Sequence, residues 1–414
     1  MEGRTGPFRG NALRIFAAVA LLVCAAWAAP TTQVIYSFAG DEDGEYTDTD
    51  LILDSAGNIY GTSVLGGDFG TGSVFQLSPS GNTWVHTVLY SFTGQADGGQ
   101  PYKGVTMDAA GNLYGTAVIG GKLGACPEDG CGVVYKLTNN GGSWTQTVIH
   151  AFNGNDGYGP GQGLTFDTAG NLYGMTATGG QYGLGVIYQL RPQQDGTWKL
   201  RVIHHFTGGN DGSSGSAGRL LLDASGSLFG VATTGGANGK GTAFRLTPAQ
   251  NDRWNFATLY AFKGQPDAGF PYGALVADPA GNLYGTTYWD GANNLGSVYQ
   301  LSPAPGGKWR ERVLYSFKGG NDGNSSISNL VIDKHGRLYG TTSEGGAGCS
   351  CGVIFRVAKD SNGIWKEAIA YRFQGAPDAG FAYNGMVADS AGNMFGATVH
   401  GGDGDEGSIY KFVP

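Results

Sequence analysis

Seven copies of one hexapeptide constrain this chain more than anything else in it. They read GNIYGT at Gly57, GNLYGT at Gly111, GNLYGM at Gly170, GSLFGV at Gly226, GNLYGT at Gly281, GRLYGT at Gly336 and GNMFGA at Gly392, at intervals of 54, 59, 56, 55, 55 and 56 residues. Repetition on this scale marks a unit that cannot bury its apolar face alone and must stack on its neighbours. Length alone leaves one domain or several open; the repeat resolves it to one array.

Each unit carries four strand-like runs. The first ends in an Asp present in every copy, at Asp54, Asp108, Asp167, Asp223, Asp278, Asp333 and Asp389, which opens a D-x-x-G turn where the carboxylate accepts backbone N–H groups and Gly takes a positive φ. The second is NLYGT, the third of the GSVFQL type. The fourth begins near Trp84, Trp144, Trp198, Trp254, Trp309 or Trp365 and ends near Phe92, Phe152, Phe206, Phe262, Phe317 or Phe373. Gly at 76 of 414 residues supplies dense turns, the lack of a G-X-Y period excludes collagen, and 12% aromatic residues give a core that a disordered linker lacks. Helical periodicity is absent after residue 30. The expected fold is all-β, a seven-bladed β-propeller of four-stranded blades. The ends of the sequence favour a ring over the alternative of an open β-solenoid. An isolated fourth-strand motif, Val34-Ile35-Tyr36-Ser37-Phe38, comes first and a third-strand motif, Ser408 to Phe412, comes last, so the N-terminal strand can complete the last blade and leave no open edge.

The combined pattern DxxGNLYGTT, GGxxGxGxVFxL, W, VLYSFxGGxDG resembles the GloVer tandem repeat over residues 31–414, with a looser likeness to NHL and two-component-regulator propellers. The resemblance implies an extracytoplasmic propeller and no settled activity. Its members often carry C-terminal anchors, whereas this sequence ends at Phe412-Val413-Pro414 without a hydrophobic tail.

Residues 1–28 read as a signal peptide, and 29–414 as the single propeller domain. Arg4, Arg9 and Arg14 precede an uncharged run from Ile15 to Ala29, and Ala26-Trp27-Ala28 has the small-residue spacing of a cleavage site. A lipoprotein reading at Cys24 and an uncleaved anchor are the lesser alternatives. Exported, the mature chain is expected in the extracellular or periplasmic space, as a monomer without stable membrane insertion. Losing three Arg and one Glu takes its formal charge from −8 to −10, which excludes nucleic acid as a natural partner.

If the first strand of each unit is innermost, the loops joining fourth to first and second to third strands share one face. That face presents Asp43, Asp97, Asp156, Asp211, Asp267, Asp322 and Asp378, each read either as a turn residue or as one of a ring of ligand-binding carboxylates. Tyr102, Tyr272 and Tyr383 precede inner strands and could line the channel mouth and stack on sugar rings, or else pack between blades. Trp289 lies outside the periodic Trp positions, and His400 is the one His expected on this face, with Asp403 as a conceivable partner. Cys126 with Cys131, and Cys349 with Cys351, are expected as local disulfides, the second closing a tight ring. No metal site, cofactor or catalytic motif is expected. The leading functional expectation is a noncatalytic binding propeller for a glycan, cell-envelope component or protein. The alternatives are a lyase or hydrolase acting on a polysaccharide or lactone, and a structural repeat protein.

Overall fold

The computed structural model describes residues 3, 30–124, 126, 129–213 and 218–414; the leader reading over 1–28 falls, but for Gly3, outside them. Within each unit the chain runs back and forth through neighbouring antiparallel strands from the axis outward. In the first blade these are Ile52–Leu53, Ile59–Ser63, Ser73–Ser80 and Thr83–Ser91. The inner hairpin forms because Asp54 folds its turn: its carboxylate accepts the N–H of Ala56 and Asn58 at 2.9 Å, the Asn58 amide at 2.7 Å and the Tyr60 hydroxyl at 3.1 Å. Seven such blades make the ring, as the repeats require. Blade five gains a fifth strand, Ala268–Pro271, because its second strand runs on to Asp290.

The seventh blade is assembled from both ends of the chain. Val387–Ala388, Met394–Thr398 and Ser408–Val413 are joined by Thr31–Ser37, which pairs antiparallel with Ser408–Val413 from Thr31↔Val413 to Ser37↔Ser408. A one-residue bulge skips Ile35 in this ladder, and the same bulge skips Leu89 in blade one and Leu314 in blade five. The borrowed strand thus takes the register that a covalently continuous strand takes elsewhere.

Seven edge-to-face ring pairs tie the blades together. The Phe that ends each fourth strand meets the third-strand ring of the next blade: Phe92 with Tyr135 at 4.9 Å, Phe262 with Tyr299 at 5.0 Å, Phe373 with Tyr410 at 5.2 Å and, across the join, Phe38 with Phe75 at 5.3 Å. Each such pair adds roughly 0.5–1.5 kcal/mol beyond its burial. The Gly of every YG or FG step lets the second strand pass directly over that same ring; a Cβ on Gly285 would land under 3.0 Å from Tyr299.

Two seams hold a carboxyl. Two residues after the fourth-strand Trp, the side chain packs on the preceding blade, as His86 does on Tyr36 at 4.6 Å and Phe256 on His204 at 4.0 Å. Glu311 and Glu367 occupy this place in blades five and six. Burial, reinforced by Asp267, pushes Glu311 up to about 7, and burial with Asp322 brings Glu367 to about 7 as well. A carboxyl raised in the fold binds more protons there than in the unfolded chain, so these groups lower stability progressively as pH rises from about 4.5 to about 7. The hairpin carboxylates act oppositely. Asp54, Asp108 and Asp278 are partly buried, which acts upward, yet their hydrogen bonds hold them below the usual range, and that stability is lost as pH falls through their folded values. Urea titrations across pH should therefore show greatest stability near about pH 5 and a decline toward neutrality. The Glu311→Gln/Glu367→Gln variant should lose that decline; an identical slope would refute it.

Candidate ligand site on the loop face

The loops that follow the fourth strand and those that follow the second do share one face, because they bridge to each other: Glu45↔Leu65, Gly99↔Ile119, Tyr158↔Thr178 and Ser213↔Thr234. At the centre of this face lie the residues that immediately precede the inner strands. There Lys103 Nζ donates to Asp48 Oδ1 at 3.0 Å and to Asn384 Oδ1 at 2.6 Å, while the Asn384 amide also donates to Asp48. These three side chains come from blades two, one and seven. Deeper in the channel Asn329 Nδ2 donates to Asp50 Oδ1 at 2.8 Å, the Ala274 N–H donates to Asn329 Oδ1 at 2.6 Å, and Arg219 reaches Asp50 Oδ2 at 3.7 Å. Side chains of blades one, two, four, six and seven thus cross the axis and close it with polar groups. Burial acts to lower the Lys103 ammonium, but Asp48 and Asp50 overcome it and hold the group above its ordinary value, so it stays a cation.

Around this plug stands a collar of phenols. Tyr46, Tyr102, Tyr272 and Tyr383 are each partly buried and raised above the ordinary tyrosine value, first by burial and then with a contribution from the Asp48 charge. Tyr102, Tyr272 and Tyr383 thus each lie within reach of the Asp48 charge. From Tyr272 an aromatic path leads outward through Tyr288 at 6.4 Å to Trp289 at a further 4.7 Å, and Trp289 packs edge-on against Phe270 at 5.4 Å. Trp289 is 48% exposed. Lys240 lies 4.7 Å over the Phe270 ring and 3.3 Å from Asp290. A recessed floor of hydrogen-bonding groups with a rim of amphipathic rings suits a polyhydroxylated ligand, whose C–H faces stack and whose hydroxyls pair.

The seven loop carboxylates do not join this mouth; six are engaged within their own loops by strand-four side chains. Tyr36, Tyr90, Tyr315 and Tyr371 donate to Asp43, Asp97, Asp322 and Asp378 at 2.8, 2.8, 2.6 and 2.8 Å, and His150 and His204 contact Asp156 and Asp211 at 3.1 and 3.0 Å. Asp267 instead faces Lys263 at 3.8 Å and Glu311. Backbone N–H groups of Thr93, Thr207, Lys318 and Gln374 complete the turns at 2.9 Å. His400 is exposed on the rim of blade seven, edge-on to Phe381 at 5.4 Å, and its Nδ1 faces the Asp405 carbonyl rather than Asp403. Cys126–Cys131 and Cys349–Cys351 are both bonded, each within one second-to-third-strand loop. Among the described residues no group of three or more His, Cys, Asp or Glu could hold a metal ion, and no helix is long and apolar enough to cross a membrane.

Sequence reasoning missed Asp48, Asp50, Lys103, Arg219, Asn329, Asn384, Tyr46 and Tyr288. The available signal was disagreement between repeats. Four residues before the hairpin Asp, the seven units carry Asp50, Gly104, Gly163, Arg219, Ala274, Asn329 and Gly385, a column that no shared structural need explains.

A closed seven-bladed ring of this repeat, its axis crossed by polar side chains, defines an all-β propeller. The chain belongs to the Gloeobacter/Verrucomicrobia repeat family, whose model matches residues 124–319 and 255–414. No curated protein matches it. Among solved structures it is similar to the extracellular domain of a Bacteroides thetaiotaomicron protein assigned as a one-component system, with TM-score 0.53, 11% identity, and 91% of this chain and 39% of that one covered. It is also similar to a Bacteroides uniformis protein assigned as a 6-phosphogluconolactonase, with TM-score 0.50 and 13% identity over 78% of this chain and 84% of that one. A Lactobacillus plantarum protein matches with TM-score 0.50 and 13% identity over 90% and 98%. At such identities the likeness speaks for the fold alone.

Proposed function

We propose that this chain is an exported, noncatalytic binding propeller whose loop face takes a glycan or another polyhydroxylated component of the cell envelope. The observation that carries the reading is the collar of Tyr46, Tyr102, Tyr272 and Tyr383 around the Lys103–Asp48–Asn384 cluster, continued outward by Tyr288 and Trp289. Binding is favoured over turnover because Asp48 and Asp50, the carboxylates at the axis, are both already matched by cations and amides, whereas a general base must be free to take a proton. Export is supported by the leader-like first segment and by two disulfides, which persist in oxidising compartments.

A glycan array followed by calorimetry on the best hit tests this. Wild-type protein should bind saturably, and Tyr272→Ala and Trp289→Ala should each weaken binding by about tenfold with unchanged melting, since one aromatic stack contributes around 1 kcal/mol. No saturable glycan, together with turnover of a lactone or polysaccharide, would replace this reading with an enzymatic one.

A further inference from the structure

We propose that the opposite half of the central channel is a second binding site, for a small anionic amphiphile: an aliphatic chain ended by a carboxylate. Beyond the plug the channel widens toward the hairpin face into a cavity of about 510 Å³. Inner strands of four blades build its wall from Ile52, Leu221, Val276, Met386 and Val387, and its inner end is formed by Arg219 beside Asp50 and Asn329. That volume and that pattern, apolar walls with a few convergent polar groups, are those of small-molecule sites of roughly 300–1,000 Å³. Ile52, Leu221, Val276 and Val387 are only partly buried. These side chains also pack against the inter-blade cores, so that only part of each borders the cavity.

Charge identifies the head group. Arg219 and Asp50 form an unequal pair: the Arg side chain is 32% exposed and the Asp side chain 6%, and their 3.7 Å separation exceeds a hydrogen bond. Asp50 Oδ1 accepts from the Asn329 amide and feels the charge of Lys103, while its buried Oδ2 has no hydrogen-bond partner among the described residues and faces Arg219. The accessible member at the cavity's end is therefore the guanidinium, whose planar fork matches a carboxylate, while the tail lies along the Leu and Val wall. A neutral hydroxyl head can accept a single hydrogen bond from Arg219 without charge pairing, and a cationic one is repelled. The plug separates this cavity from the tyrosine collar, so both can be filled at once and each can be tested alone.

Calorimetry with the full chain, comparing decanoate with decan-1-ol, is the direct experiment. Decanoate should bind once per chain and at least tenfold more tightly than the alcohol. In Arg219→Gln that preference should vanish while alcohol binding stays unchanged. Val276→Trp, which fills the tube, should weaken both ligands. Wild-type protein that binds neither saturably, or binds both equally, overturns the proposal without recourse to any variant. Full preference retained in Arg219→Gln overturns it as well.

Discussion

Deleting residues 30–38 is expected to unfold the ring rather than trim it. The strand removed covers one whole edge of the seventh blade, in register from Thr31↔Val413 to Ser37↔Ser408, and it takes with it Phe38, which is 1% exposed and packs on Phe75 of the first blade. Loss of a buried Phe side chain alone costs about 3–5 kcal/mol. The whole domain is held by a margin of about 5–15 kcal/mol, so that loss, added to an uncovered ladder and an opened seam, consumes most of it. The truncated chain should lose its cooperative thermal transition or melt at least 10 °C lower, on the order of what such a deficit implies, and a synthetic 30–38 peptide in excess should restore part of it by mass action. A melting temperature equal to that of the intact chain would mean that the borrowed strand does not hold the ring closed.

Gly285→Ala should be severely damaging for a single added methyl, and Tyr299→Phe a harmless or beneficial change at its partner. The added Cβ would lie under 3.0 Å from the Tyr299 ring, which is fully buried and pinned by Phe262; overpacking of this kind costs about 1–3 kcal/mol, and the tight surround places this site at the upper end. The Tyr299 hydroxyl is buried without a hydrogen-bond partner among the described residues, so its removal relieves a desolvation cost of about 1 kcal/mol. Blades one, four and six already carry Phe75, Phe244 and Phe355 at this place. Urea midpoints should fall in Gly285→Ala, hold or rise in Tyr299→Phe, and recover partly in the double variant, because the two groups touch and their effects cannot simply add. Additive behaviour would show that the ring does not constrain the second strand.

The ring, its strand order and the closure by Thr31–Ser37 were legible in the sequence because each rests on something that recurs: the hairpin Asp, the Gly beneath the ring, the terminal Phe and the Trp. A periodic residue reports the demands of the fold, so periodicity exposed the architecture and concealed the centre. Lys103, Arg219 and Asn329 meet Asp48 and Asp50 only once seven units are bent around an axis, and a linear reading holds no distance between positions 50 and 329. The three tyrosines drew notice because they lie next to the inner strands. Their floor was overlooked because its asymmetry is spread over single residues in several blades instead of one conspicuous loop. The seven loop carboxylates show the reverse effect: they drew notice by recurring, and the structure engages six of them with strand-four Tyr or His.

The shared seventh blade also sets a timetable for the newborn chain. Ribosomes deliver Ser408–Val413 tens of seconds after Thr31–Ser37, at about 5–20 residues per second. Until then the earlier strand has no mate of its own, and any product cut short before Ser408–Val413 keeps that edge bare, ready to pair with a sister molecule.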